Sequence, residues 1–104
     1  MIPLVANRID AIHSACRRHR VARLEIFGSA ASGDKFNDRG SDIDFLVTYP
    51  PDADLGPWLA EYFSLLDELR QTLNKPVDLV MAGAITSDLF WKQVDQSREL
   101  IYAG

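Results

Sequence analysis

Three carboxylates stand where a packing argument would not put them: Asp42 and Asp44 in SDIDFLV, and Asp78 in VDLV. Residues two apart on a strand project from one face, so Asp42 and Asp44 lie side by side with alpha-carbons roughly 6–7 Å apart. Asp78 interrupts an apolar run that reads as a neighbouring strand. Carboxylates are seldom enclosed without a partner, and neither strand sequence carries a basic residue. Three acidic groups at one sheet edge repel one another unless a cation stands between them, and hard oxygen ligands select Mg²⁺ or Mn²⁺. Two such ions about 3.5–4 Å apart clamp the attacking and leaving oxygens of a phosphoryl or nucleotidyl transfer. An isolated Asp-x-Asp, however, is also what a solvated strand end looks like.

Upstream, Phe27-Gly28-Ser29 falls at the exit of an earlier apolar segment. A glycine there lets the backbone approach a ligand, and backbone N–H groups with a serine hydroxyl offer donors to phosphate oxygens. Alone, Gly-Ser is an ordinary turn. The order of the pieces carries the chemistry: strand, Gly-Ser, a glycine-bearing loop, Ser-Asp-x-Asp opening a strand, then a later strand with one Asp.

The elements that must hold these residues follow from periodicity. Ile2, Val5, Ile9, Ile12 and Cys16 alternate at spacings of three and four, predicting one helix from Ile2 to about His19. Val21 to Phe27 reads as a short strand, and Gly28 to Gly40 as a loop or a loop with one helical turn. Asp42 to Tyr49 is the clearest strand, with Ile43, Phe45 and Val47 facing one way and Asp42, Asp44 and Leu46 the other. Leu55 to Leu73 predicts a long helix stopped by Asn74 and Pro76, its apolar stripe widened by Trp58, Phe63 and Leu65. Val77 to Met81 is a third strand. Thr86 to about Arg98 is a helix capped by Thr86 or Ser87, and the ending LIYAG adds a short strand or simply packs. Strands alternating with helices predict an α/β (α+β) domain spanning residues 1–104, with a mixed sheet of three strands or slightly more packed with helices.

Length and composition agree with one modest core. The 104 residues are 47% apolar and 25% charged, an ordinary globular balance that argues against disorder. A net charge of −4 disfavours a dedicated nucleic-acid or anionic-membrane binder, so no direct nucleic-acid binding is expected. Cys16 is the single cysteine, so a disulfide within the chain and a thiolate zinc site are both excluded, consistent with a reducing cytoplasm. The opening residues do not read as a signal peptide, and no apolar stretch approaches the ~20 residues of a membrane span. His13 and His19 read as helix-surface residues, with no second ligand at metal spacing.

The text GSAASGDKFNDRGSDIDFLV followed by VDLV resembles the DNA-polymerase-beta-like nucleotidyltransferase superfamily, whose hallmark is Gly-Ser, then Asp-x-Asp, then a third carboxylate. Within it the chain is most similar to the minimal nucleotidyltransferases (MNT), compact proteins paired with a HEPN-domain partner. The resemblance runs from the first helix through LIYAG. It implies ATP bound with two Mg²⁺ ions held by Asp42, Asp44 and Asp78, and Gly28, Ser29 and Ser41 on the nucleotide, the first two cradling its phosphates. It further implies Asp78 as a proton acceptor for the attacking hydroxyl. Two departures stand out: the family commonly reads GSxARG where Ser32 stands here, and the segment from Ser29 to Asp42 is longer than usual. Lys35 and Arg39, in that longer loop, are the candidates for the missing positive charge.

Larger relatives hold their acceptor with an additional helical domain, for which 104 residues leave no room. The acceptor is therefore expected on a partner protein. The resemblance implies a HEPN ribonuclease toxin, AMP transferred to one of its tyrosines, and an antitoxin role for this chain. Surplus aromatic surface from Trp58, Phe63 and Trp91 suits either a protein interface or extra core. Two other readings belong beside this one: an antitoxin that neutralises by binding alone, and a transferase for a small-molecule hydroxyl of the aminoglycoside type.

Overall fold

A computed structural model describes residues 1–34, 36–37 and 39–104 of the chain. Helices α1 (Pro3–Ala6) and α2 (Ile9–Arg18) lead into β1 (Arg23–Phe27), α3 (Ser29–Ser32) and β2 (Ile43–Thr48). A 3-10 turn at Pro57–Leu59 opens α4 (Ala60–Leu73), followed by β3 (Val77–Met81), a second 3-10 turn at Ala82–Ala84, α5 (Asp88–Asp95) and β4 (Glu99–Ala103).

The four strands form one mixed sheet in the order β3-β2-β1-β4. β1 runs antiparallel to both β2 and β4, whereas β2 and β3 are parallel. Parallel neighbours need a crossover, and α4 supplies it. One sheet face carries Leu24, Ile26, Ile43, Phe45, Val47, Val77 and Leu79 into the main core, where Val5, Ile12, Cys16, Leu65, Leu69 and Leu73 meet them. Burial pushes the Cys16 thiol up to about 12, so it packs as a small apolar group.

The other face is covered as well. Leu46 and Val94 are both buried yet stand outside the main cluster, and the Phe90 ring of α5 meets the Phe27 ring edge-on at 6.1 Å between centroids. Glu25, only 4% exposed, lies in the middle of β1 on this face. A buried carboxylate needs compensation. Arg23 Nη2 stands 3.3 Å and Arg98 Nε 3.8 Å from its Oε1.

Three expectations change. The single first helix is two, broken at Asn7 and Arg8. Its stripe survives, but the halves pack differently: the Ile2 N–H donates to the Ala30 carbonyl at 2.9 Å, tying α1 to α3, while α2 lies against α4 and β4. Helix α4 begins at Ala60 rather than Leu55, because Gly56, Trp58 and Leu59 all have φ between 57° and 78°, outside any right-handed helix. Of the two readings of Trp58 and Phe63, core is excluded; they are 94% and 56% exposed. Helix α5 is shorter than expected, with Ser87 rather than Thr86 as its cap, accepting from the Phe90 N–H at 3.2 Å. LIYAG does add a strand, β4, which makes the sheet four-stranded.

Candidate active site

Strand register brings two of the three carboxylates face to face. In the parallel β2–β3 ladder Asp44 pairs with Asp78, and in the antiparallel β1–β2 ladder it pairs with Phe27. Adjacent strands lie about 4.8 Å apart, so Asp44 and Asp78 are immediate neighbours on one face. Asp42 immediately precedes β2 on the same side. Asp42 and Asp78 are exposed, whereas Asp44 is half-buried between them. Burial first, then the charges of Asp78 and Asp42, push the Asp44 carboxyl up to about 6. All three causes oppose a negative charge there, and a divalent cation would reverse the electrostatic part.

The Gly-Ser turn abuts this group. Gly28 has φ +72° and ψ −155°, a conformation that essentially only glycine adopts. An added Cβ would sit 2.8 Å from Asp44 Oδ2, so the missing side chain is needed for clearance as well as for conformation. The Gly28 carbonyl accepts the Ala31 and Ser32 N–H groups, starting α3, and its own N–H donates to Ser97 Oγ at 2.7 Å. Ser29 is half-buried as the first residue of α3, and the buried Ala30 and Ala31 anchor that helical turn. The structure thus brings Gly28, Ser29, Asp42, Asp44 and Asp78 to one end of the sheet.

Ser41 has a different task within the described contacts. Its hydroxyl accepts the Asn37 N–H at 3.0 Å and its N–H donates to the Asn37 carbonyl at 2.9 Å, closing the loop that leads into Asp42. Ser32 is exposed and accepts the Asp34 N–H at 3.2 Å. Arg39 is exposed, with its N–H on Asn37 Oδ1 at 2.9 Å. Lys35, the other candidate for a replacement charge, lies outside the described residues. Among those residues no three His, Cys, Asp or Glu side chains already converge tightly enough to hold a metal ion. The donor chemistry nevertheless fits a hard divalent cation: three carboxylates at one sheet end, two of them open to water.

Both histidines do more than decorate helix surfaces. His13 Nε2 lies 2.7 Å from the Ile101 carbonyl, tying α2 to β4, and His19 lies between Glu61 at 3.3 Å and Glu68 at 2.7 Å. A cavity of about 530 Å³ opens at the opposite end of β2, lined by Arg18, His19, Tyr49, Leu55 and Glu61 among others. It contains none of the site carboxylates, so cavity volume does not locate the chemistry here. Sequence reading missed Ser97 and Glu25. Glu25 had the same signal as Asp78, a lone acid in an apolar strand (LEIF); Ser97 had none.

The family pattern described as polymerase beta, nucleotidyltransferase matches residues 10–104. A Methanocaldococcus jannaschii protein named "Putative protein adenylyltransferase MJ1379" is 31% identical over 85 residues, 82% of this chain and 79% of that one. Among solved structures, one described as a putative minimal nucleotidyltransferase superposes with a TM-score of 0.71 at 28% identity, over 91% of this chain and 90% of that one. A chain in the complex of a tri-AMPylated Shewanella oneidensis HEPN toxin with its MNT antitoxin shares the fold, with a TM-score of 0.66 at 20% identity over 95% and 72% of the two chains.

Proposed function

Because the chain belongs to the polymerase-beta nucleotidyltransferase family, we propose that this nucleotidyltransferase is an Mg²⁺-dependent adenylyltransferase that moves AMP from ATP to a tyrosine of a HEPN-domain toxin and so acts as its antitoxin. The observation that carries the reading is the half-buried Asp44, set beside Asp78 by register and pressed against Gly28. A carboxylate held in that company is costly unless it serves a cation.

Asp42, Asp44 and Asp78 are the residues that would hold the two Mg²⁺ ions. When bound, the ions neutralise phosphate charge and stabilise the oxygens of an in-line displacement. The Gly28–Ser29 turn orients the triphosphate, with Ser29 contributing its N–H and hydroxyl and Gly28 contributing clearance, since its own N–H is already given to Ser97. The acceptor hydroxyl attacks the α-phosphorus, the bond to the β-phosphate oxygen breaks, and pyrophosphate leaves. Asp78, exposed at the end of the pair, takes the hydroxyl proton.

The partner reading is supported by the exposure of Trp58 and Phe63, two large aromatic side chains left outside the core. It is supported too by the relative named a protein adenylyltransferase and by the fold shared with the antitoxin complex of an AMPylated toxin. Incubation of this chain with a HEPN-domain partner, ATP and Mg²⁺ tests it by the intact mass of the partner. The expected result is a gain of one or more AMP units that disappears when Asp42 and Asp44 become Asn.

One observation favours a second reading, neutralisation by binding alone. Ser32 stands where the family carries Arg, and its hydroxyl is turned to the Asp34 N–H. Stable complex formation with no mass gain would select that reading and make Ser32→Arg the first restoration to try.

A further inference from the structure

We propose that Ser97 is a positioning residue for nucleotide binding, acting through the Gly28 amide; this rests on the nucleotidyltransferase reading of the Gly28–Ser29 turn. The two residues are 69 apart in the chain, yet the Gly28 N–H donates to Ser97 Oγ at 2.7 Å. An N–H so engaged is not a phosphate donor. Its function is to orient the Phe27–Gly28 peptide plane and so fix the entry into the turn that presents Ser29.

The turn that carries Ser97 is itself fixed. The Ser97 and Arg98 N–H groups both reach the Val94 carbonyl, at 3.1 and 2.9 Å, and Val94 is buried. Arg98 binds Asp95 at 3.1 Å, approaches the buried Glu25 at 3.8 Å, and lies over the Trp91 ring at 5.8 Å. These contacts secure the end of α5 to the middle of β1, two residues before Phe27. Ser97 thus ties the glycine turn to the sheet from the side opposite Asp44. Gly28 is held on three sides: Ser97 at its N–H, Asp44 against its alpha-carbon, and α3 at its carbonyl. With the tie removed, the Ser29 N–H and hydroxyl lose their aim, while the carboxylates that perform the transfer stay in place.

Ser97→Ala is predicted to raise the KM for ATP about 10-fold, in line with loss of one hydrogen bond, with kcat changed less than threefold. Ser97→Thr, which keeps the acceptor oxygen, restores the wild-type KM. Without nucleotide, Ser97→Ala also speeds hydrogen exchange of the Gly28 amide measured by NMR. A merely structural role would lower the melting temperature and speed Gly28 exchange while leaving the KM for ATP unmoved. If Ser97→Ala does not fold, Ser97→Cys, whose sulfur is a weak acceptor, carries the same comparison. An unchanged KM overturns the proposal, whatever the Gly28 exchange rate. Wild-type protein that binds no MgATP sinks the nucleotide reading instead, and the Gly28 exchange rate still decides whether Ser97 holds the turn.

Discussion

Gly28 and Asp44 are packed so closely that an added Cβ on the glycine would lie 2.8 Å from the Asp44 Oδ2 oxygen. The Gly28–Ser29 turn and the Asp44 carboxylate therefore share one small volume, and neither moves without the other. Gly28→Ala forces both a glycine-only conformation and a clash. It should cost about 1–3 kcal/mol in stability and, by displacing Asp44, lower kcat by roughly 100-fold. Chemical denaturation and single-turnover transfer measure the two effects separately; full activity in a stably folded Gly28→Ala protein would contradict the geometry.

The raised pKa of Asp44 gives a pH signature. Its unfolded value is near 3.8 and its folded value about 6, so between these the folded state holds more of the proton. The stability of the metal-free protein should therefore fall as pH rises through that window. Asp44→Asn removes the penalty. With Asp44 partly solvated, the gain at pH 7.5 is discounted to on the order of 1 kcal/mol, or roughly 4 °C in melting temperature, while transfer is lost. Thermal melts of both proteins from pH 4.5 to 7.5 check this, and parallel curves would refute it.

Divalent cations should act on the same carboxylates. Mg²⁺ or Mn²⁺ should raise the melting temperature of the wild-type protein at pH 7.5, since ligands that bind only the folded state stabilise it. The rise should shrink at pH 5, where protons compete at Asp44. Asp42→Asn combined with Asp44→Asn should show none. An equal rise in that double variant would place the ions elsewhere.

Tyr49 offers a stability test far from the site. Among the described residues its hydroxyl is buried without a hydrogen-bond partner, and burial holds its pKa up at about 12. Removing an unsatisfied polar group costs nothing and relieves its desolvation, so Tyr49→Phe should stabilise the fold by about 1 kcal/mol. Denaturant titration decides it. Destabilisation would mean that the hydroxyl has a partner in solution.

Trp58 separates folding from partnership. At 94% exposed it adds little to the core, so Trp58→Ala should change stability by no more than about 0.5 kcal/mol. If Trp58 anchors the proposed HEPN-domain partner, Trp58→Ala should weaken that complex by roughly 30-fold. Titration calorimetry on the purified pair measures the second quantity; unaltered affinity would move the interface off this surface.

The primary structure determined what local periodicity and turn chemistry encode. The alternation of Ile43, Phe45 and Val47 against Asp44 and Leu46 set the two faces of β2, and the same period-2 pattern turned Asp78 out of β3. Asn74 and Pro76 ended α4 because a left-handed cap and a missing N–H stop a helix wherever they occur. Only the tertiary structure decided which distant segments meet. The register that sets Asp44 against Asp78 depends on where the α4 crossover returns the chain, and the approach of Ser97 to Gly28 depends on α5 closing over the second face and β4 pairing with β1 at the sheet edge. The break between α1 and α2 and the late start of α4 were settled in the same way. A stripe of apolar residues says which side is buried, but the partners it is buried against decide whether the helix runs straight.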